Sequence, residues 1–146
     1  MIISNYMKNE HRECDTLFAK AEQSVAINEW DKAKIEFEAF RDETLLHFKK
    51  EEDELFVKFE QATGMSEGPT QVMRYEHEQV RGLLSKLQDA LNKADRDSYL
   101  SIAEAMMILL QQHNMKEEQM LYAMCDRVLP HNNKEEIIET MKSLSL

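Results

Sequence analysis

At 146 residues and 42% hydrophobic content, the chain carries enough apolar material for one domain around one core. Three glycines and two prolines are too few for a sheet with many turns, so long helices are expected. A formal net charge of −10 argues against nucleic acid or an anionic membrane surface as the main partner.

The first helical stretch places Met7, His11, Cys14, Phe18, Ala21 and Val25 at alternating three- and four-residue spacing, the seam of a bundle helix. A turn at 28–31 separates it from the second. There Ala33, Phe37, Phe40, Thr44, His47 and Glu51 form the seam, and Leu55 and Phe59 continue it less regularly. Gly64 and the 66–69 segment break the chain again. The third stretch reads Met73, His77, Val80, Leu84, Leu87 and Leu91. After a polar break at 93–98 the fourth reads Ala103, Met106, Leu110, His113, Glu117, Met120 and Met124, ending at Pro130. An amphipathic tail with Ile137, Ile138, Met141 and Leu144 is placed to cap the bundle. The expected fold is all-α: an up-and-down antiparallel four-helix bundle with a short C-terminal helix, one domain over 1–146.

Four of the five histidines fall on these seams, one per helix, with two glutamates where an ionised carboxylate is expensive. His11 and His77 are 66 residues apart, as are His47 and His113, and Glu51 and Glu117. Glu10 repeats as Glu76 at the same interval, so one helical hairpin is used twice. His11 and His47 are equidistant from the first turn, and His77 and His113 from the third, which puts four imidazoles and two carboxylates in one layer.

His and Glu four residues apart share a helix face. Two such pairs facing each other bring two carboxylates together, and two cations that both carboxylates bridge remove their repulsion. Mixed imidazole and carboxylate ligation in a bundle core suits iron or manganese, with zinc also admissible.

The runs Glu10-His11, His47-x-x-x-Glu51-Glu52, Glu76-His77 and His113-x-x-x-Glu117-Glu118, with Leu55-Phe56 and Leu121-Tyr122 following, resemble the hemerythrin-like cation-binding domain over about 7–130. The resemblance implies a bundle with two non-haem iron ions joined by an oxo or hydroxo group. Glu51 and Glu117 would bridge them, and His11, His47, His77 and His113 would be terminal ligands. Oxygen-carrying hemerythrins add a fifth histidine four residues from the third-helix one; here Met73 and Arg81 stand at that spacing from His77. That departure leaves coordination positions open. It looks more like the iron–sulfur repair and nitric-oxide-response branch, although residues 1–10 lack that branch's paired cysteines.

The function implied is binding of two irons that react with or sense dioxygen, nitric oxide or peroxide. Reversible oxygen storage or iron-responsive stability is the second choice, and oxidase or peroxidase chemistry the third, with catalysis not favoured.

Other residues carry weaker expectations. Glu10 and Glu76 are either acceptors that orient imidazoles or surface charges. Glu52 and Glu118, about 100° from the bridging positions, are expected on solvated faces. Asp15 and Arg81 are expected as exposed charges, with pairing across the bundle or steering of a ligand the alternative. Tyr75 and Tyr122 are expected at the core edge, with donation to a bound oxygen species the sharper possibility. The methionines are expected as core filler, and His131 as solvated. Cys14 and Cys125 are expected as buried thiols in a reducing compartment. Residues 1–10 lack the features of a signal peptide, and the longest apolar run, 105–110, is too short to span a bilayer. A cytoplasmic location follows as the expectation.

Overall fold

The computed structural model describes residues 2–146. Helix α1 (Ile2–Ala26) is followed by α2 (Trp30–Lys50), which runs through a π-helical turn (Glu51–Leu55) into α3 (Phe56–Thr63). Helix α4 (Pro69–Asn92) leads to α5 (Arg96–Lys116), which runs through a second π-helical turn (Glu117–Leu121) into α6 (Tyr122–Val128). The last helix is α7 (His131–Ser143). Among the described residues there is no strand, and no helix is long and apolar enough to cross a membrane. Helix α1 packs on α2 and α4 on α5, while α1 also meets α5 and α6, and α2 meets α4. The result is a helical bundle.

The duplication is visible in the turns. Glu29 N–H bonds to the Ser24 carbonyl and Asn28 N–H to that of Val25; Asp95 and Ala94 do the same to Ala90 and Leu91. Both pairs are Schellman caps, and both place a residue with positive φ, Asn28 at 59° and Ala94 at 50°. Asparagine tolerates that conformation; alanine pays for its Cβ. Beyond the second turn, Asp95 caps α5 by accepting from the Ser98 amide at 3.1 Å.

Two apolar clusters fill the interior. One, toward these turns, contains Phe18, Phe37, Phe40, Leu84, Leu87, Tyr99 and Met106. The other contains Ile3, Met7, Leu55, Phe56, Phe59, Met73 and Leu121, with α7 covering it through Ile137, Ile138 and Met141 as expected. Each fully buried aromatic or aliphatic side chain stabilises the fold by about 1.5–3 kcal/mol. The buried polar residues of the predicted layer separate the two clusters.

The π turns correct the fourth seam. Met120 is 59% exposed and Met124 only half-buried; Leu121, Tyr122 and Cys125 are the residues that point inward. In each π turn an amide bonds to the carbonyl five residues earlier, Phe56 to Glu51 and Tyr122 to Glu117. That inserts one residue into the helical period, so a constant 3.6 spacing misplaces everything beyond Glu117. It also explains the loosened pattern after Glu51.

Candidate metal centre

All six predicted residues meet in one buried layer. His11 comes from α1, His47 from the last turn of α2, His77 from α4 and His113 from the last turn of α5. Glu51 and Glu117 are the first residues of the two π turns. Both glutamates are 0% exposed, and no histidine of the four exceeds 4%. His11 Nε2 lies 3.1 Å from His47 Nε2 and 3.1 Å from Glu117 Oε1. His77 Nε2 is 3.0 Å from Glu51 Oε1, and His113 Nε2 is 3.2 Å from Glu117 Oε1. His47 Nε2 stands 3.4 Å from Glu51 Oε1. The donor atoms fall into two overlapping groups, Glu51, His77, His113 and Glu117 in one, His11, His47 and Glu117 in the other.

Every imidazole is held from behind by a carboxylate. His11 Nδ1 donates to Glu118 at 2.7 Å and His77 Nδ1 to Glu52 at 2.6 Å. His47 Nδ1 donates to Glu10 and His113 Nδ1 to Glu76, each at 2.8 Å. These bonds place a proton on Nδ1 and turn all four Nε2 atoms toward the centre. Glu10 and Glu76 thus orient imidazoles. The expectation that Glu52 and Glu118 are solvated is wrong. In a bundle, 100° from the seam points at the neighbouring helix, where each reaches a histidine.

The outer carboxylates are themselves anchored. Arg81 grips both oxygens of Glu52, at 3.1 and 2.9 Å, and also pairs with Glu78, so it is a half-buried support and not a free surface charge. Lys50 bonds Glu10 and Lys116 bonds Glu76. Asp15, the repeat counterpart of Arg81, is exposed as expected and acidic. Burial opposes ionisation of Glu10 and Glu52, but their histidine and cationic partners prevail and hold both down at about 2.

The centre is electrostatically unfinished. Burial, and then the charge of Glu117, push the Glu51 carboxyl up. Burial would raise Glu117 too, but His113, Glu51 and His11 hold it well below the usual carboxylate range. Burial would lower His11 and His113; Glu117 and Glu51, with Glu118 at His11 and Glu76 at His113, together outweigh it and hold both up at about 9. Glu51 Oε1, Glu117 Oε2, His77 Nε2 and His113 Nε2 are buried with no hydrogen-bond partner. Orphaned buried polar atoms are costly and rare. Here all four are metal-donor atoms facing one another, so the donor set fits a cation.

The two halves of the layer are not alike. The His77 ring stacks on Phe48, at 3.8 Å and 13°, and lies near-parallel to Phe56, at 5.8 Å and 18°. At the positions related to these by the repeat stand Asn114 and Tyr122. Tyr122 is fully buried in the centre, not at its edge, whereas Tyr75 is 66% exposed. His131 is exposed and pairs with Glu135. Both cysteines are free thiols, Cys125 buried and Cys14 half-buried, and burial pushes the Cys14 thiol up to about 12.

A helical bundle whose interior presents converging imidazoles and carboxylates defines a cation-binding bundle protein. The family model for the hemerythrin HHE cation-binding domain matches residues 2–125, and the chain belongs to that family. No curated protein and no solved structure matched the chain in the parallel comparisons.

Proposed function

We propose that the chain holds two non-haem iron ions and reacts with or senses a small ligand: dioxygen, nitric oxide or peroxide. On this proposal four helical rods run up and down in one antiparallel unit. His11, His47, His77 and His113 would hold the ions through their imidazoles, and both ions would share Glu51 and Glu117. The observation that carries it is the set of buried donor atoms that face one another without forming hydrogen bonds, two from carboxylates and two from imidazoles. Bound iron would supply ligand binding and electron transfer toward such a molecule.

The chain's own residues do the rest. Glu10, Glu52, Glu76 and Glu118 keep each imidazole in the tautomer that offers Nε2. Phe48 and Phe56 wall off His77 from water. Met73, buried in the apolar cluster, and Arg81, committed to Glu52, supply no further imidazole beside His77. An ion held there would have a coordination position that no imidazole fills.

The test is the optical spectrum of the iron-loaded protein under air. An oxo-to-iron charge-transfer absorption is expected, and perturbation of it by nitric oxide or peroxide. Iron-loaded protein with no such absorption would contradict the proposal. A second function, stability that responds to iron, draws on the same orphaned atoms, because the cation is what satisfies them.

A further inference from the structure

The duplication places Tyr122 opposite Phe56, and the second π turn aims the tyrosine into the metal layer. Its hydroxyl donates to Glu51 Oε2 at 2.6 Å and lies 2.9 Å from Glu117 Oε1, five residues earlier in the chain. It is also 3.1 Å from His11 Nε2 and 3.5 Å from His47 Nε2. One oxygen therefore touches both imidazoles and both carboxylates around the His11 and His47 half. A hydroxyl placed only to satisfy a carboxylate needs one acceptor. This one sits within bonding distance of four proposed metal-donor atoms.

Phe56 holds the corresponding place in the other half and offers no donor atom. It stacks on His77 instead. The two cation positions, built from the same hairpin, therefore differ by one oxygen donor. We infer that Tyr122 is a seventh protein ligand, bound through its phenolate oxygen to the cation held by His11 and His47. The two cation positions are then inequivalent, and the one between His77 and His113 is the more open to an external ligand. This rests on the two-metal proposal above.

Ligation is a proton exchange with no change of oxidation state. The phenol O–H bond breaks, its proton leaves to solvent, and the oxygen lone pair bonds the cation. A multivalent cation beside a phenol oxygen favours loss of that proton.

Zinc(II) serves as the probe, since it brings no colour and no redox chemistry of its own. Metal content is measured alongside, and the ultraviolet difference spectrum is recorded as zinc is added to the metal-free chain. One tyrosinate per chain is expected to appear. Y122F should abolish it while Y75F and Y99F keep it, and Y122F should release one metal equivalent about tenfold more readily to a chelator. With ferric iron, the wild-type chain should add a phenolate-to-iron band that Y122F lacks. If the wild-type chain takes up metal and no tyrosinate forms, the inference is wrong although the metal proposal stands. If it takes up no metal, the proposed function itself fails. The wild-type measurement decides the matter even if Y122F does not fold.

Discussion

His77 is held at Nδ1 and packed against two near-parallel aromatic rings. Glu52 fixes Nδ1, Arg81 fixes Glu52, and Phe48 and Phe56 stack on the ring, so the imidazole has one orientation available. E52Q keeps the side chain's size but loses the charge that Arg81 and the imidazole share. Metal affinity should fall about 10–100-fold in chelator competition. E118Q should cost less, because Glu118 is 33% exposed against 19% for Glu52 and faces acidic Asp15 in place of an arginine. Equal, negligible losses in both variants would contradict this role. The six central residues were legible because they recur at a 66-residue interval and also sit on the apolar seams, whereas Glu52 and Glu118 share the interval but lie off the seam. Glu52 and Glu118 were not legible. A helical wheel gives the direction of a side chain from its own axis but not which neighbouring helix lies in that direction.

At the scale of the element, the same interval controls the turns. Ala94 holds a left-handed conformation that its counterpart Asn28 accepts more easily. A94G should therefore raise stability by about 1 kcal/mol in denaturant unfolding, and a loss would show that the turn relaxes around alanine. Asp126 on α6 ties down the start of α1, accepting from the Ile3 amide at 2.9 Å and from the Ser4 amide at 3.1 Å. Burial opposes its ionisation, but the Ser4 and Ile3 bonds dominate and hold its carboxyl below the ordinary range. Its contribution to stability is therefore full above the pKa of an unfolded aspartate. It is lost as pH falls through the lower folded value. D126N should cost about 1–2 kcal/mol at neutral pH. The gap between variant and wild type should close in acid, and a gap independent of pH would contradict the sign. The helices and their breaks could be read from apolar spacing and from 28–31, 64–69 and 93–98. The π turns could not, because spacing analysis assumes a constant period, and the one inserted residue is what sends Met120 outward and Tyr122 inward.

For the whole molecule, the polar layer divides the apolar interior in two, and the halves are joined across it by buried groups that repel or lack partners. A bound cation should therefore stabilise the fold. At a metal concentration about 100 times the dissociation constant the gain is about 2.7 kcal/mol, or roughly 5–10 °C in Tm. Chelation should reverse it, and melting that ignores metal would mean the layer is satisfied without it.

The most direct measurement is the metal content of protein purified without oxygen, by elemental analysis, in the wild type and in E51Q and E117Q. Two iron ions per chain are predicted for the wild type, with both variants depleted. A wild-type chain that retains no metal, or variants that keep the full complement, would contradict the assignment of those buried carboxylates as the bridge.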